Sequence, residues 1–136
     1  IADNTILISN SNFRSYAYGC GGISFNSLSC YQDDKQARLI LHEFGHSFGC
    51  LSDEYTESGK RDDPDEPNCA PDKETAKSWW GDLSNVKGVG YYQGCSYTPE
   101  NIRPTDNSIM KSHSVLKNDY EPINERWLRK KLEGYK

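Results

Sequence analysis

The segment DDKQARLILHEFGHSFGCLSDEY, residues 33–55, constrains the chain more than any other. Asp33 and Asp34 can cap a helix and place negative charge in its first turn. Apolar residues three or four apart predict a helix over residues 36–48, with one apolar stripe facing the core. The residues of this stripe are Ala37, Leu41, Phe44 and Phe48.

Two histidines lie one turn apart on this predicted helix. His42 and His46 are offset by roughly 40° around the axis and by about 6 Å along it. Imidazoles placed in this way can both reach one zinc ion at about 2.0–2.1 Å. Glu43 follows the first histidine directly, so it lies beside such an ion. A carboxylate at that point can take a proton from a metal-bound water.

A third ligand is expected shortly after the helix. Gly49 can end the helix with a positive φ, and the chain can then return towards the histidines. The pattern HExxHxxG followed by a ligand is that of the metzincins, which place this ligand ten residues after the first histidine. Ser52 occupies that position and is a poor zinc ligand, and Asp53 follows it. We therefore predict Asp53 as the third ligand and keep Glu54 as an alternative.

The only methionine lies in the later segment NIRPTDNSIMKSHS. Metzincins place a methionine in a tight turn beneath the metal, and Met110 fits that position. The alternative is a single methionine in the core. His113, three residues later, is a candidate third ligand or transition-state donor, and its alternative is a peripheral histidine.

Composition limits the classes of partner. With 136 residues, 35% of them hydrophobic, the chain can form one domain with a small core and a polar surface. A net charge of −4 argues against a nucleic-acid interface or a polybasic membrane surface. No apolar run approaches the ~20 residues of a membrane span. The chain begins at Ile1 without a signal-like segment, so we expect a processed protein or part of a longer one.

Five cysteines are many for a cytosolic domain and favour a secreted protein with disulfides. We expect Cys20 to pair with Cys30 around a glycine-rich segment, and Cys69 to pair with Cys95. Cys50 then remains unpaired and buried. Five reduced thiols are the alternative, because spacing alone does not determine connectivity.

The remaining segments indicate an α+β fold. An apolar run predicts a buried strand over residues 5–9, and alternation predicts a half-exposed strand over residues 23–28. The second strand can form a sheet edge that pairs with an extended peptide, or an ordinary covered edge. Residues 14–22 are predicted to be a loop. Helices are expected over residues 74–80 and 122–132.

An acidic loop follows the helix of the histidines. Its four carboxylates could hold calcium through their oxygen atoms, although their spacing does not match an EF-hand. The alternative is a solvated loop with two prolines. The four residues are Asp62, Asp63, Asp65 and Glu66.

The sequence HEFGHSFGCLSDEY resembles the HEFGHSFGxLxDEY signature of the IgA-peptidase family of zinc metalloendopeptidases. Residues 67–80, the IRPTDNSIM segment and the closing EPINERWLRKKL helix resemble the same family. The resemblance implies a secreted, metzincin-like endopeptidase with His42 and His46 as Zn²⁺ ligands and Glu43 as catalytic acid/base. The cysteines are a departure from the family pattern.

The family's metzincin-like catalytic domains have further strands and a helix before the first strand seen here. We therefore expect residues 1–136 to form a single, partial catalytic domain that lacks these first elements. Another segment or chain would then complete its sheet. The expected function is zinc-dependent hydrolysis of peptide bonds in a protein or peptide substrate. Two alternatives are a non-catalytic zinc-binding module and a zinc amidase acting on a non-peptide amide such as a cell-wall linkage.

Overall fold

A computed structural model of the chain describes residues 4–28, 34–62, 64, 67–112 and 119–134. Within these residues the fold is α+β, with five strands, three α-helices and one 3₁₀ turn. The elements in order are β1 (Thr5–Ser9), β2 (Tyr16–Ala17), β3 (Ile23–Ser27), α1 (Asp34–Ser47), α2 (Lys73–Trp80), the 3₁₀ turn (Gly81–Leu83), β4 (Val89–Cys95), β5 (Thr98–Thr105) and α3 (Glu121–Glu133). None of the helices in the described part is long and apolar enough to cross a bilayer.

The first three strands form one sheet in the order β1-β3-β2. β1 runs parallel to β3, with Ile6 opposite Ser24, and β2 runs antiparallel to β3, with Tyr16 opposite Phe25. The prediction that the strand over residues 23–28 forms an edge was wrong, because β3 is the central strand. The edge beside α1 is β2, which lies within a segment predicted to be a loop. Two residues are too few to show an alternating pattern.

β1 lies at the other edge of the same sheet. Its side chains Ile6, Leu7 and Ile8 are 42%, 45% and 54% exposed, so the prediction of a buried strand was wrong. An apolar run shows that a strand can be buried, but it does not show which neighbours cover it. Among the described residues, β1 pairs only with β3.

Helix α1 follows β3 and packs against β2 and β3. The predicted apolar stripe was wrong in its N-terminal half, because Ala37 is exposed and Leu41 is 38% exposed. The buried face instead carries several polar side chains beside Leu39. Contacts with β2 and β3, such as the hydrogen bond from the Gln36 amide to the Ser27 carbonyl oxygen, decide which face is buried and override the hydrophobic periodicity. These buried polar residues are Gln36, Arg38, His42, Glu43 and Ser47. Asp33, one predicted cap, lies outside the described residues.

The end of α1 differs from the prediction at Gly49. The residue with positive φ is Cys50, at 53°, rather than Gly49. Gly49 is needed for close packing, because a Cβ there would lie 2.6 Å from the Gly45 carbonyl oxygen and 2.8 Å from Leu128 Cδ2. The amide of Leu51 donates to the Gly45 oxygen at 3.1 Å and turns the chain back along the helix.

Two hydrophobic clusters hold the remaining elements together. The first contains Met110 and connects the end of α1 to α3; its buried members are Phe48, Leu51, Ile109, Met110 and Leu128. The second connects α2, the β4–β5 hairpin and α3; its buried members are Ala70, Ala76, Trp80, Ile102 and Ile123. Trp80 is fully buried, and its Nε1 donates to the Gly90 oxygen at 3.0 Å.

Two disulfides join cysteines within the described residues. The pair Cys69–Cys95 confirms the prediction. The second pair is Cys20–Cys50, so the expected Cys20–Cys30 pair and the unpaired Cys50 were both wrong. The fold explains the difference, since the amide of Gly22 donates to the Ser47 oxygen at 3.1 Å and brings the β2–β3 connection to the end of α1. Cys30 lies outside the described residues.

Closing a loop over a separation of 30 residues restricts the unfolded chain. The double substitution C20S/C50S should therefore lower the free energy of unfolding by about 3.5 kcal/mol, measured by denaturant titration. Peptide mapping without reduction should recover a linked Cys20–Cys50 peptide, and the C30S variant should keep that linkage. A linked Cys20–Cys30 peptide as the main species would contradict the fold around α1.

Candidate functional site

Three potential ligand atoms converge where α1 meets the segment that follows it. His42 Nε2 lies 3.1 Å from His46 Nε2. The Oδ1 atom of Asp53 lies 3.2 Å from the first nitrogen and 3.3 Å from the second. Among the described residues, this is the set of side chains placed to hold a metal ion together.

The hydrogen bonds on the far side of each imidazole determine which nitrogen faces the cluster. His42 Nδ1 lies 2.9 Å from the Ile109 carbonyl oxygen, and His46 Nδ1 lies 2.6 Å from the Leu51 carbonyl oxygen. A carbonyl oxygen only accepts, so each Nδ1 carries the proton and donates. In the neutral rings, both Nε2 atoms therefore present lone pairs to each other and to the carboxylate.

Three acceptors packed this closely repel one another unless a positive charge lies among them. Ligands at about 2.0–2.1 Å from a tetrahedral zinc ion are separated by roughly 3.3 Å, which matches the spacing of these three atoms. Asp53 Oδ1 is also buried without a hydrogen bond of acceptable geometry. The residues present thus fit a zinc ion in donor type, spacing and protonation.

The charges within the cluster also favour a bound cation. Burial opposes ionisation of Asp53, but His42 and His46, in their protonated forms, outweigh it and hold the pKa of the carboxyl far below its usual range. Burial also opposes charge on His46, yet contact with Asp53 raises the pKa of that imidazole. Both shifts mean that a positive charge beside the Asp53 carboxylate is favourable, as a protonated imidazole or as a metal ion.

Glu43 lies beside the cluster and is only 6% exposed. Burial raises the pKa of its carboxyl, against the opposing charges of His42 and His46. With His42 and Tyr55, Glu43 lines a cavity of about 490 Å³. A smaller cavity of about 230 Å³ adjoins His46 and Asp53. Open space therefore adjoins the cluster beside each of the two histidines.

Met110 lies fully buried beneath the helix that carries the histidines. A Cβ at Gly45, between the two histidines in sequence, would lie 2.5 Å from Met110 Sδ and 3.0 Å from Tyr120 Cε1. Glycine thus lets the turn over residues 108–111, called here the methionine turn, approach the helix backbone. The same turn presents the Ile109 oxygen that binds His42.

The structure places Glu54 outside the cluster, although Asp53 precedes it. Glu54 is fully buried, and its backbone amide donates to the Met110 oxygen at 3.0 Å. Burial raises the pKa of the carboxyl, opposed by hydrogen bonds from four side chains. The four donors are Asn124 at 2.8 Å, Asn68 at 3.0 Å, Ser108 at 2.8 Å and Thr105 at 3.3 Å.

Sequence reasoning did not assign Tyr97 to the site. Tyr97, at the tip of the β4–β5 hairpin, donates its hydroxyl to Asp53 Oδ2 at 2.5 Å. The contact joins residues 44 positions apart, and no local spacing or motif predicts it. His113, the alternative ligand, lies outside the described residues, as do three of the four proposed calcium ligands, Asp63, Asp65 and Glu66.

The structure thus combines an α+β fold with a His-His-Asp group that could hold a metal ion and a buried glutamate beside it. The chain belongs to the family described as IgA Peptidase M64, whose model matches residues 2–88. The matched region contains α1, Glu43 and the three clustered residues, and membership indicates a peptidase. Met110 and the β4–β5 hairpin lie beyond it. A search of curated proteins found no match to the chain.

The hydrogen bonds around Glu54 predict a structural role for this residue. Replacing Glu54 with Ala leaves four buried donors without an acceptor and should lower the free energy of unfolding by about 3 kcal/mol. Gln keeps an oxygen for the two Asn amides and an NH₂ group for hydroxyls that can rotate, so E54Q should lose about 1 kcal/mol or less. Chemical denaturation measures both changes, and equal losses in the two variants would contradict this role.

Proposed function

We propose that this chain is a zinc-dependent endopeptidase that hydrolyses peptide bonds in proteins or peptides. The observation that carries the proposal is the close spacing of three acceptor atoms whose tautomers and charges favour a bound cation. Family membership supports a peptidase, and the buried Glu43 supplies a carboxylate beside the cluster. His42, His46 and Asp53 are the proposed ligands, which leaves a fourth position for water or substrate.

When bound, zinc supplies Lewis acidity, which polarises the scissile carbonyl and lowers the pKa of a water molecule at the site. Glu43 accepts the proton of the attacking water and passes it to the leaving amine. The raised pKa of its carboxyl suits both roles. It makes the carboxylate a stronger base towards water than an ordinary carboxylate, and the protonated form can still donate to the leaving amine. The Ile109 and Leu51 carbonyls keep the imidazoles oriented throughout.

We further propose a metzincin-like arrangement, with residues 1–136 as a single domain or part of one. The order of the parallel β1 and β3, the antiparallel edge β2 and then α1 supports this proposal. Among the described residues β1 lies at an edge of its sheet and its apolar side chains are exposed, which supports a further strand beside it, from another segment or another chain. Two disulfides support a secreted protein, because such bonds persist in oxidising compartments.

The variant E43Q tests the catalytic role. Gln cannot accept the proton of water, so hydrolysis of a peptide library should fall by about 10²–10⁴-fold while the zinc content stays at one ion per chain. The measurements are peptide turnover and metal analysis after dialysis. The matched control is E74Q, which changes an exposed glutamate on α2 and should leave both values unchanged.

Three outcomes would contradict the proposal. Activity of E43Q above a tenth of the original rate would remove Glu43 from the chemistry. Zinc bound by an unsubstituted chain that cleaves no peptide would favour a non-catalytic zinc-binding module. Cleavage of wall fragments but not peptides would favour an amidase.

Chelation should abolish peptide cleavage and added zinc should restore it.

A second variant tests the ligand set. D53A removes one of three ligands and should weaken zinc binding by more than ~100-fold, beyond the ~10–100-fold losses typical of residues that only support a ligand. E54Q, at the neighbouring buried carboxylate, should stay within about tenfold of the original affinity. Competition titration with a chromogenic chelator measures both. Equal losses in the two variants, or a larger loss in E54Q, would exclude Asp53 as the preferred ligand.

A further inference from the structure

The β4–β5 hairpin ends in an unusual two-residue turn. Cys95 pairs with Thr98, and the two residues between them, Ser96 and Tyr97, have φ values of 49° and 61°. Hairpin turns with positive φ at both central residues strongly favour Asn-Gly or similar pairs. A bulky aromatic residue in this conformation is an outlier, and such outliers concentrate at functional sites.

This turn delivers four contacts to the segment that carries Asp53. The Ser96 amide donates to the Asp53 carbonyl oxygen at 2.8 Å, and the Tyr97 amide donates to the Tyr55 oxygen at 3.1 Å. The hydroxyls of Ser96 and Ser52 lie 3.1 Å apart. The Tyr97 hydroxyl donates to Asp53 Oδ2 at 2.5 Å. Asn-Gly could make the same backbone contacts with less strain, but it could not reach the carboxylate.

The two oxygens of Asp53 therefore have different partners. Oδ1 faces the Nε2 atoms of His42 and His46, and Oδ2 accepts from Tyr97. A carboxylate whose second oxygen is bound in this way presents a single oxygen to a cation. The Tyr97 ring is in turn supported edge-on by Tyr55, with ring centroids 5.6 Å apart.

We propose that Tyr97 is a positioning residue for the metal ligand Asp53, and that the Ser96–Tyr97 turn keeps its strained conformation because it delivers this hydroxyl. The inference rests on the proposed zinc site and adds a residue beyond the part of the chain that the family model matches. Tyr97 acts through Asp53: it orients the carboxylate and limits it to one ligating oxygen.

The variant Y97F tests the hydroxyl. It should weaken Zn²⁺ binding by about 10–100-fold, measured by chelator competition, and should change the visible absorption spectrum of the Co²⁺-substituted protein. The matched control is Y91F, which removes a hydroxyl from the same hairpin where the ring stacks near Trp80, with centroids 6.4 Å apart. Y91F should bind zinc as the original chain does and give the same Co²⁺ spectrum.

The variant S96N/Y97G separates the site from the fold. Asn-Gly suits the turn and offsets part of the lost side-chain contacts, so the metal-free protein should still unfold in one cooperative transition, while Zn²⁺ affinity should fall at least as far as in Y97F. Zinc affinity in Y97F or S96N/Y97G equal to that of the original chain would overturn the inference. An original chain that binds neither Zn²⁺ nor Co²⁺ would instead overturn the proposed function, so the two failures are distinguishable.

Discussion

Mutual repulsion among three closely spaced acceptors is the constraint on which this structure depends. Two imidazole lone pairs and a carboxylate oxygen lie within 3.3 Å of one another, an arrangement that is unfavourable without a positive charge between them. The chain does not relieve this repulsion by turning the rings. Carbonyl oxygens of Ile109 and Leu51 bind the opposite nitrogens and hold both lone pairs inwards. The fold therefore has to place those two carbonyls accurately.

Different contacts position each of the two carbonyls. The Leu51 oxygen follows a turn that the Leu51 amide closes on Gly45, and Gly49 permits the close contact with Leu128. The Ile109 oxygen belongs to the methionine turn, which is tied to buried Glu54 through the Ser108 hydroxyl and the Met110 oxygen. A glycine within a helix costs about 1 kcal/mol relative to alanine. At Gly45 the absence of a Cβ makes room for the methionine turn, because a Cβ there would lie 2.5 Å from Met110 Sδ.

Sequence reasoning recovered what depends on local spacing. Periodicity, caps and motif predicted the helix of the histidines, the helices α2 and α3 and the family. The Cys69–Cys95 pair was also predicted correctly, although spacing alone does not determine connectivity. Sequence reasoning failed where distant contacts decide the outcome. The buried face of α1 carries polar Gln36, whose amide donates to the Ser27 carbonyl oxygen of β3, and no hydrophobic pattern could indicate that contact. Pairing of Cys20 with Cys50 depends on the β2–β3 connection meeting the end of α1.

Both disulfides attach segments that bear directly on the cluster. Cys50 follows the second histidine by four residues, and its bond holds the end of α1 to the β2–β3 connection. Cys95 precedes the strained turn, and its partner Cys69 follows Asn68, which binds Glu54. A chain with 35% hydrophobic residues has a small core with which to hold such segments. The cross-links limit the freedom of the unfolded chain at these points, so the polar site is stabilised by covalent bonds where apolar packing is sparse.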